Sequence, residues 1–61
     1  MPHDLTPESI RNLRKRLGMT QPQFADKLGC TAQAVSYWER GTRQPRGLYA
    51  AAIRRLMAEV A

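Results

Sequence analysis

A single cysteine, a single histidine and five acidic residues leave this chain little with which to do chemistry. Cys30 alone permits neither an intramolecular disulfide nor a cysteine metal cluster. It falls in a turn, where a bystander thiol is favoured over a redox role. His3 has no second histidine and no carboxylate cluster beside it, so no metal site is expected. A Ser/His/acid set, a pair of neighbouring acids and a glycine-rich phosphate loop are all missing, so the chain reads as a non-enzyme without a cofactor. No run approaches the roughly 18 consecutive apolar residues of a membrane span. The start MPHDLTPES has neither the basic nor the apolar region of a signal peptide. A cytoplasmic protein with no membrane partner is expected.

What the chain does have is positive charge and helical patterning. Ten Lys and Arg residues against five acids give a net charge of +5 and a pI near 10.4, the footprint of a polyanion binder. The cations cluster as Arg11, Arg14, Lys15 and Arg16, then Arg40, Arg43 and Arg46, then Arg54 and Arg55, with Lys27 apart. Basicity alone fits DNA, RNA or an acidic membrane surface. With 61 residues there is room for one domain, 1–61, with a single core. A domain this small buries only about 60% of its unfolded surface, which gives it an incentive to dimerise. Hydrophobic content of 43% is that of a folded protein.

Four helical patterns follow one another. Thr6-Pro7-Glu8 reads as a helix start, with Ile10, Leu13 and Leu17 as the apolar stripe and Gly18 as the stop. Thr20-Gln21-Pro22-Gln23 reads as a capping box opening a second helix, whose stripe is Phe24, Ala25 and Leu28. Gly29 sits where that helix would end in the left-handed conformation. Thr31 caps a third, ending near Arg40-Gly41, with Val35 and Trp38 on its core side and Ala34 beside them. Helices this short are not stable alone, so their apolar faces must pack together. Two of them joined by a tight glycine turn make a helix-turn-helix. The segment from Gly41 to Gly47 is a loop by its Gly and Pro punctuation and contains no acid. A last, alanine-rich helix runs from about Arg46 or Gly47 to Glu59, with Leu48, Ala52, Ile53, Leu56 and Val60 as its expected buried stripe. The expected fold is all-α, a compact bundle of four to five short helices.

On the third helix Gln33, Ser36, Tyr37 and Arg40 project together, opposite the core stripe. Any amphipathic helix has a solvated outer face. An exposed Tyr beside an Arg, directly after such a turn, favours a face that reads a partner.

The chain resembles the Cro/repressor-type (lambda-repressor-like, XRE) helix-turn-helix domain of bacteria and phages. The residues that carry the likeness are Leu13-Arg14, Gly18, Thr20-Gln21, Phe24-Ala25, Gly29, Val35, Glu39-Arg40-Gly41 and Pro45, and the match runs from about residue 5 to 48 without a gap. The resemblance implies a bacterial or phage regulator of transcription that binds double-stranded DNA, with its third helix in the major groove. Gln33 is then the best base reader, since a Gln amide can bond adenine in two places. Tyr37 and Ser36 read or buttress nearby, and Ala32 touches a thymine methyl. Gln21, Thr31, Arg40, Arg43 and Arg46 are the expected phosphate ligands. The resemblance also implies an ion pair between Arg14 and Glu39, although Arg14 can equally be read as part of the basic surface. Many relatives carry a fifth helix that forms the dimer contact, and this sequence ends where it would begin. Met57, Val60 and Ala61 are therefore the expected apolar contact of a homodimer that forms at least on DNA, on a palindromic operator. Repression by occupying a promoter is the leading expectation. An antitoxin whose main partner is a toxin, and an RNA-binding or structural module, are the alternatives.

Overall fold

Four helices make up the computed structural model, which describes residues 5–60: α1 (Pro7–Arg16), α2 (Gln21–Leu28), α3 (Ala32–Arg40) and α4 (Gly47–Val60). The fold is all-α, and the expected bundle of four to five helices has four among the described residues. None of them is long and apolar enough to cross a membrane. His3 and Ala61 lie outside the described residues.

Each of the first three helices begins on a threonine whose hydroxyl accepts a hydrogen bond from the backbone N–H three residues on. Thr6 accepts from Ser9, Thr20 from Gln23 and Thr31 from Ala34, at 3.0, 3.3 and 3.1 Å. Ser9 and Gln23 return the bond to the cap backbone at 3.0 Å each, so two of the three are full capping boxes. Such a cap is worth about 1 kcal/mol. These caps place the helix starts, and burial then holds the helices together. Ile10, Phe24, Val35 and Ile53 have no exposed surface, and Leu13, Ala25, Trp38 and Met57 complete the core around them. Burying one such large apolar side chain contributes about 1.5–3 kcal/mol.

The α2–α3 turn rests on Gly29, whose φ of 79° lies in the left-handed region. The chain reverses there, and the Cys30 N–H returns to the Ala25 carbonyl at 2.9 Å. Ala25 itself is 2% exposed and belongs to the core between the helices. Gly41 ends α3 in the same conformation, and a methyl group there would come within 3.3 Å of Pro7, so the end of α3 abuts the start of α1.

Helix α4 departs from its expected register. Ala50, Ile53 and Met57 are its buried residues, with Leu56 and Val60 packed against the core at its margin. Leu48 is 88% exposed. At about 100° per residue it lies roughly 140° round the helix from Ile53, so the two cannot both face inward. Ala52 is half-buried rather than central. Met57 belongs to the core, which removes it from the expected dimer contact.

Candidate nucleic-acid interface

Helix α3 divides its residues cleanly. Val35, Trp38 and Glu39 turn inward, while Gln33 and Arg40 are exposed and Ala32, Ser36 and Tyr37 are half-buried along the outer side. The outer residues are not independent of one another. The Gln33 amide Nε2 donates to the Tyr37 hydroxyl at 2.8 Å. The guanidinium carbons of Arg40 and Arg43 lie 5.3 and 5.1 Å from the centre of the Tyr37 ring, within cation–π range. The Tyr37 carbonyl accepts from the Thr42 and Arg43 N–H groups at 3.0 and 3.4 Å, which folds the following loop back beside the helix. Sequence spacing places Gln33, Tyr37 and Arg40 on one face. Only the folded loop brings Arg43 to the same ring.

Beyond Tyr37 this face opens into a groove of ≈ 1020 Å³ bounded by α3, the loop and the first turn of α4, with Thr31, Gln33, Tyr37, Arg43, Arg46 and Tyr49 among its lining residues. Thr31 is exposed at the α3 cap, and Arg40, Arg43 and Arg46 are all exposed. Tyr49 closes the far side. Its ring centre lies 5.8 Å from that of Trp38, and its hydroxyl donates to the Gly29 carbonyl at 3.4 Å, tying α4 to the turn. A tyrosine two residues into a helix gives no sequence signal for that contact.

Behind this surface Glu39 is the one buried charge among the described residues, 4% exposed. Arg14 meets it with two hydrogen bonds, Nε to Oε2 at 2.7 Å and a terminal nitrogen to Oε1 at 3.0 Å. Arg14 also donates to the Met19 carbonyl at 3.0 Å. The Gln21 amide donates to Glu39 Oε1 at 3.2 Å, and Arg11 donates to the Glu39 backbone carbonyl at 2.8 Å. Burial pushes the Glu39 carboxyl up, but hydrogen bonds from Arg14 and Gln21 and the charges of Arg14 and Arg11 outweigh it, so the group sits below the ordinary carboxylate value. Arg11 is absent from the sequence reading of this cluster. Its position three residues before Arg14 on one helix face is the signal that would have found it. Gln21, expected at a phosphate, has its side chain turned to Glu39. As the first residue of α2 it has a backbone N–H with no acceptor inside the helix. Burial pushes the Cys30 thiol up, which disfavours the reactive thiolate.

A short helix, a left-handed glycine turn and a second helix with a hydrogen-bonded outer face, backed by an Arg–Glu pair, define a helix-turn-helix protein. A family model described as helix-turn-helix matches residues 10–58, and the chain belongs to that family, in its Cro/repressor (XRE) branch. Over 38 residues the chain is 42% identical to the uncharacterized HTH-type transcriptional regulator YqaE of Bacillus subtilis (strain 168). That alignment covers 62% of this chain and 33% of the relative, so the chain spans about a third of the relative's length. No solved structure matches.

Proposed function

We propose that this domain binds double-stranded DNA in a sequence-dependent way and regulates transcription, as a repressor that occupies a promoter. The observation that carries the reading is the distribution of charge around α3. Glu39 is the only acid in α3 and the loop after it, and it is turned inward and neutralised by Arg14, while Arg40, Arg43 and Arg46 stay exposed. The outer side of α3 and this loop thereby carries cations and no free acid around a row of hydrogen-bonding side chains. Such a surface suits a duplex, with phosphates on the arginines and base edges on the helix.

In this reading α3 enters the major groove. Gln33 reads a base directly, Ser36 and Tyr37 stand beside it, and Ala32 is the apolar contact for a thymine methyl. Arg40, Arg43 and Arg46 hold phosphates on one side. Thr31 and the N-terminus of α2 at Gln21 hold them on the other. The protein acts as a two-fold dimer on a palindromic operator, in the cytoplasm of a bacterium or encoded by a phage. Its similarity to a protein described as a transcriptional regulator supports the same direction.

The decisive measurement is fluorescence anisotropy with labelled DNA and RNA duplexes of one sequence, followed by selection from a random duplex library. Preferential binding of the DNA duplex and enrichment of a common motif are expected. Preference for the RNA duplex, or no enrichment above the starting library, overturns the reading.

A further inference from the structure

We infer that Tyr37 is a positioning residue that makes Gln33 select adenine over guanine. This rests on the reading of α3 as the helix that meets base edges, and adds to it a chemical class of target and a residue that sets it.

The amide of Gln33 has one acceptor, Oε1, and two N–H donors. One donor is engaged by the Tyr37 hydroxyl at 2.8 Å. What remains for a partner is one acceptor and one donor, held side by side. In the major groove adenine offers the complement, an N6 amino donor next to an N7 acceptor. Guanine offers two adjacent acceptors, N7 and O6. An amide free to turn can swing both of its N–H groups toward those acceptors. One pinned at Nε2 faces guanine with a single donor, and its Oε1 lies against O6 with no proton between them. The hydroxyl therefore leaves the adenine contact intact and removes the best guanine one.

The tyrosine is in turn held in place. Arg40 and Arg43 lie 5.3 and 5.1 Å from its ring centre, and its backbone carbonyl accepts from the Thr42 and Arg43 N–H groups of the loop. A side chain clamped at ring and backbone is a fixed point against which a flexible glutamine can be oriented. An exposed Gln33 alone would sample several rotamers and lose that orientation.

Tyr37→Phe removes the hydroxyl and keeps the ring that Arg40 and Arg43 contact. Wild type, Tyr37→Phe, Gln33→Ala and the double variant are each used to select sites from a random duplex DNA library, with thermal melts to establish that all are folded. Gln33→Ala identifies the base position that Gln33 reads. At that position wild type is expected to prefer adenine over guanine, and Tyr37→Phe to lower that ratio by roughly three- to ten-fold, the worth of one hydrogen bond. The salt dependence should stay unchanged, because no phosphate contact is assigned to Tyr37. In the Gln33→Ala background, Tyr37→Phe should change nothing further at that position. An unchanged ratio in Tyr37→Phe overturns the inference while leaving DNA binding standing. A guanine preference that Tyr37→Phe abolishes also overturns it, since the hydroxyl would then be donating to Oε1. Failure of wild type to enrich any motif instead removes the underlying DNA reading.

Discussion

The guanidinium of Arg14 and the carboxylate of Glu39, 25 residues apart in sequence, face each other across two hydrogen bonds of 2.7 and 3.0 Å. The pair binds the last turn of α1 to the last turn of α3, directly behind the candidate interface. Its side chains are 16% and 4% exposed, so solvent screens it far less than a surface pair.

Removing one partner of such a pair strands the other charge away from water, at a cost of about 3–5 kcal/mol, against about 0–1 kcal/mol for an exposed pair. Arg14→Met should fall at the low end of the first range, because Gln21 and Arg11 still contact Glu39. Arg14→Met combined with Glu39→Gln should cost clearly less than the sum of the single variants. Chemical denaturation of all three decides it, and two additive losses below about 1 kcal/mol would refute a stabilising pair.

The same carboxylate predicts a pH dependence. Its folded-state pKa lies below the ordinary glutamate value, which is about 4.3 in an unfolded chain. The stabilisation is therefore fully present above that value. It is lost as pH falls below it, because the unfolded chain takes up the proton first. Glu39→Gln lacks this term, so its stability deficit should narrow progressively once the pH drops beneath about 4. Denaturation midpoints of both proteins between acid and neutral pH test this, and a gap that stays constant would contradict it.

Arg43 is exposed and stands against Tyr37 at the edge of the groove. Loss of one phosphate contact lowers the slope of log affinity against log salt by about 0.9. Arg43→Ala should show that change and weaken selected and random duplexes alike. A salt series on both duplexes measures it, and an unaltered slope would place Arg43 outside the interface.

Two-fold binding predicts half-sites about one helical turn, roughly 34–36 Å, apart. With Met57 committed to the core, the end of α4 offers little apolar area for a partner, so the free protein should be mainly monomeric and pair on DNA. Light scattering with and without a selected palindrome checks this. A saturated complex with one protein per palindrome would rule the dimer out.

Local chemistry made much of this legible in advance. The three threonine caps, the glycine at the turn and the apolar spacing on α1, α2 and α3 act within a few residues of chain, so the helix starts and stops could be read directly. Its spacing from Val35 puts Trp38 on the core side of α3, and it is 6% exposed. Helix α4 was less legible. Alanine is a strong helix former but marks no face, and five apolar residues scattered among alanines allow more than one stripe.

The helices, their caps and the cationic excess follow from residues close together in the chain, because propensity, capping and charge are local properties. Only packing settled that Met57, and not Leu48, joins Ile53 in the core, since that depends on the angle at which α4 meets the other helices. It also decided that Gln21 and Arg11 converge on Glu39, and that Arg43 returns to the Tyr37 ring. Those contacts join residues whose separation along the chain says nothing about their distance in space, until packing and the fold of the loop have fixed it.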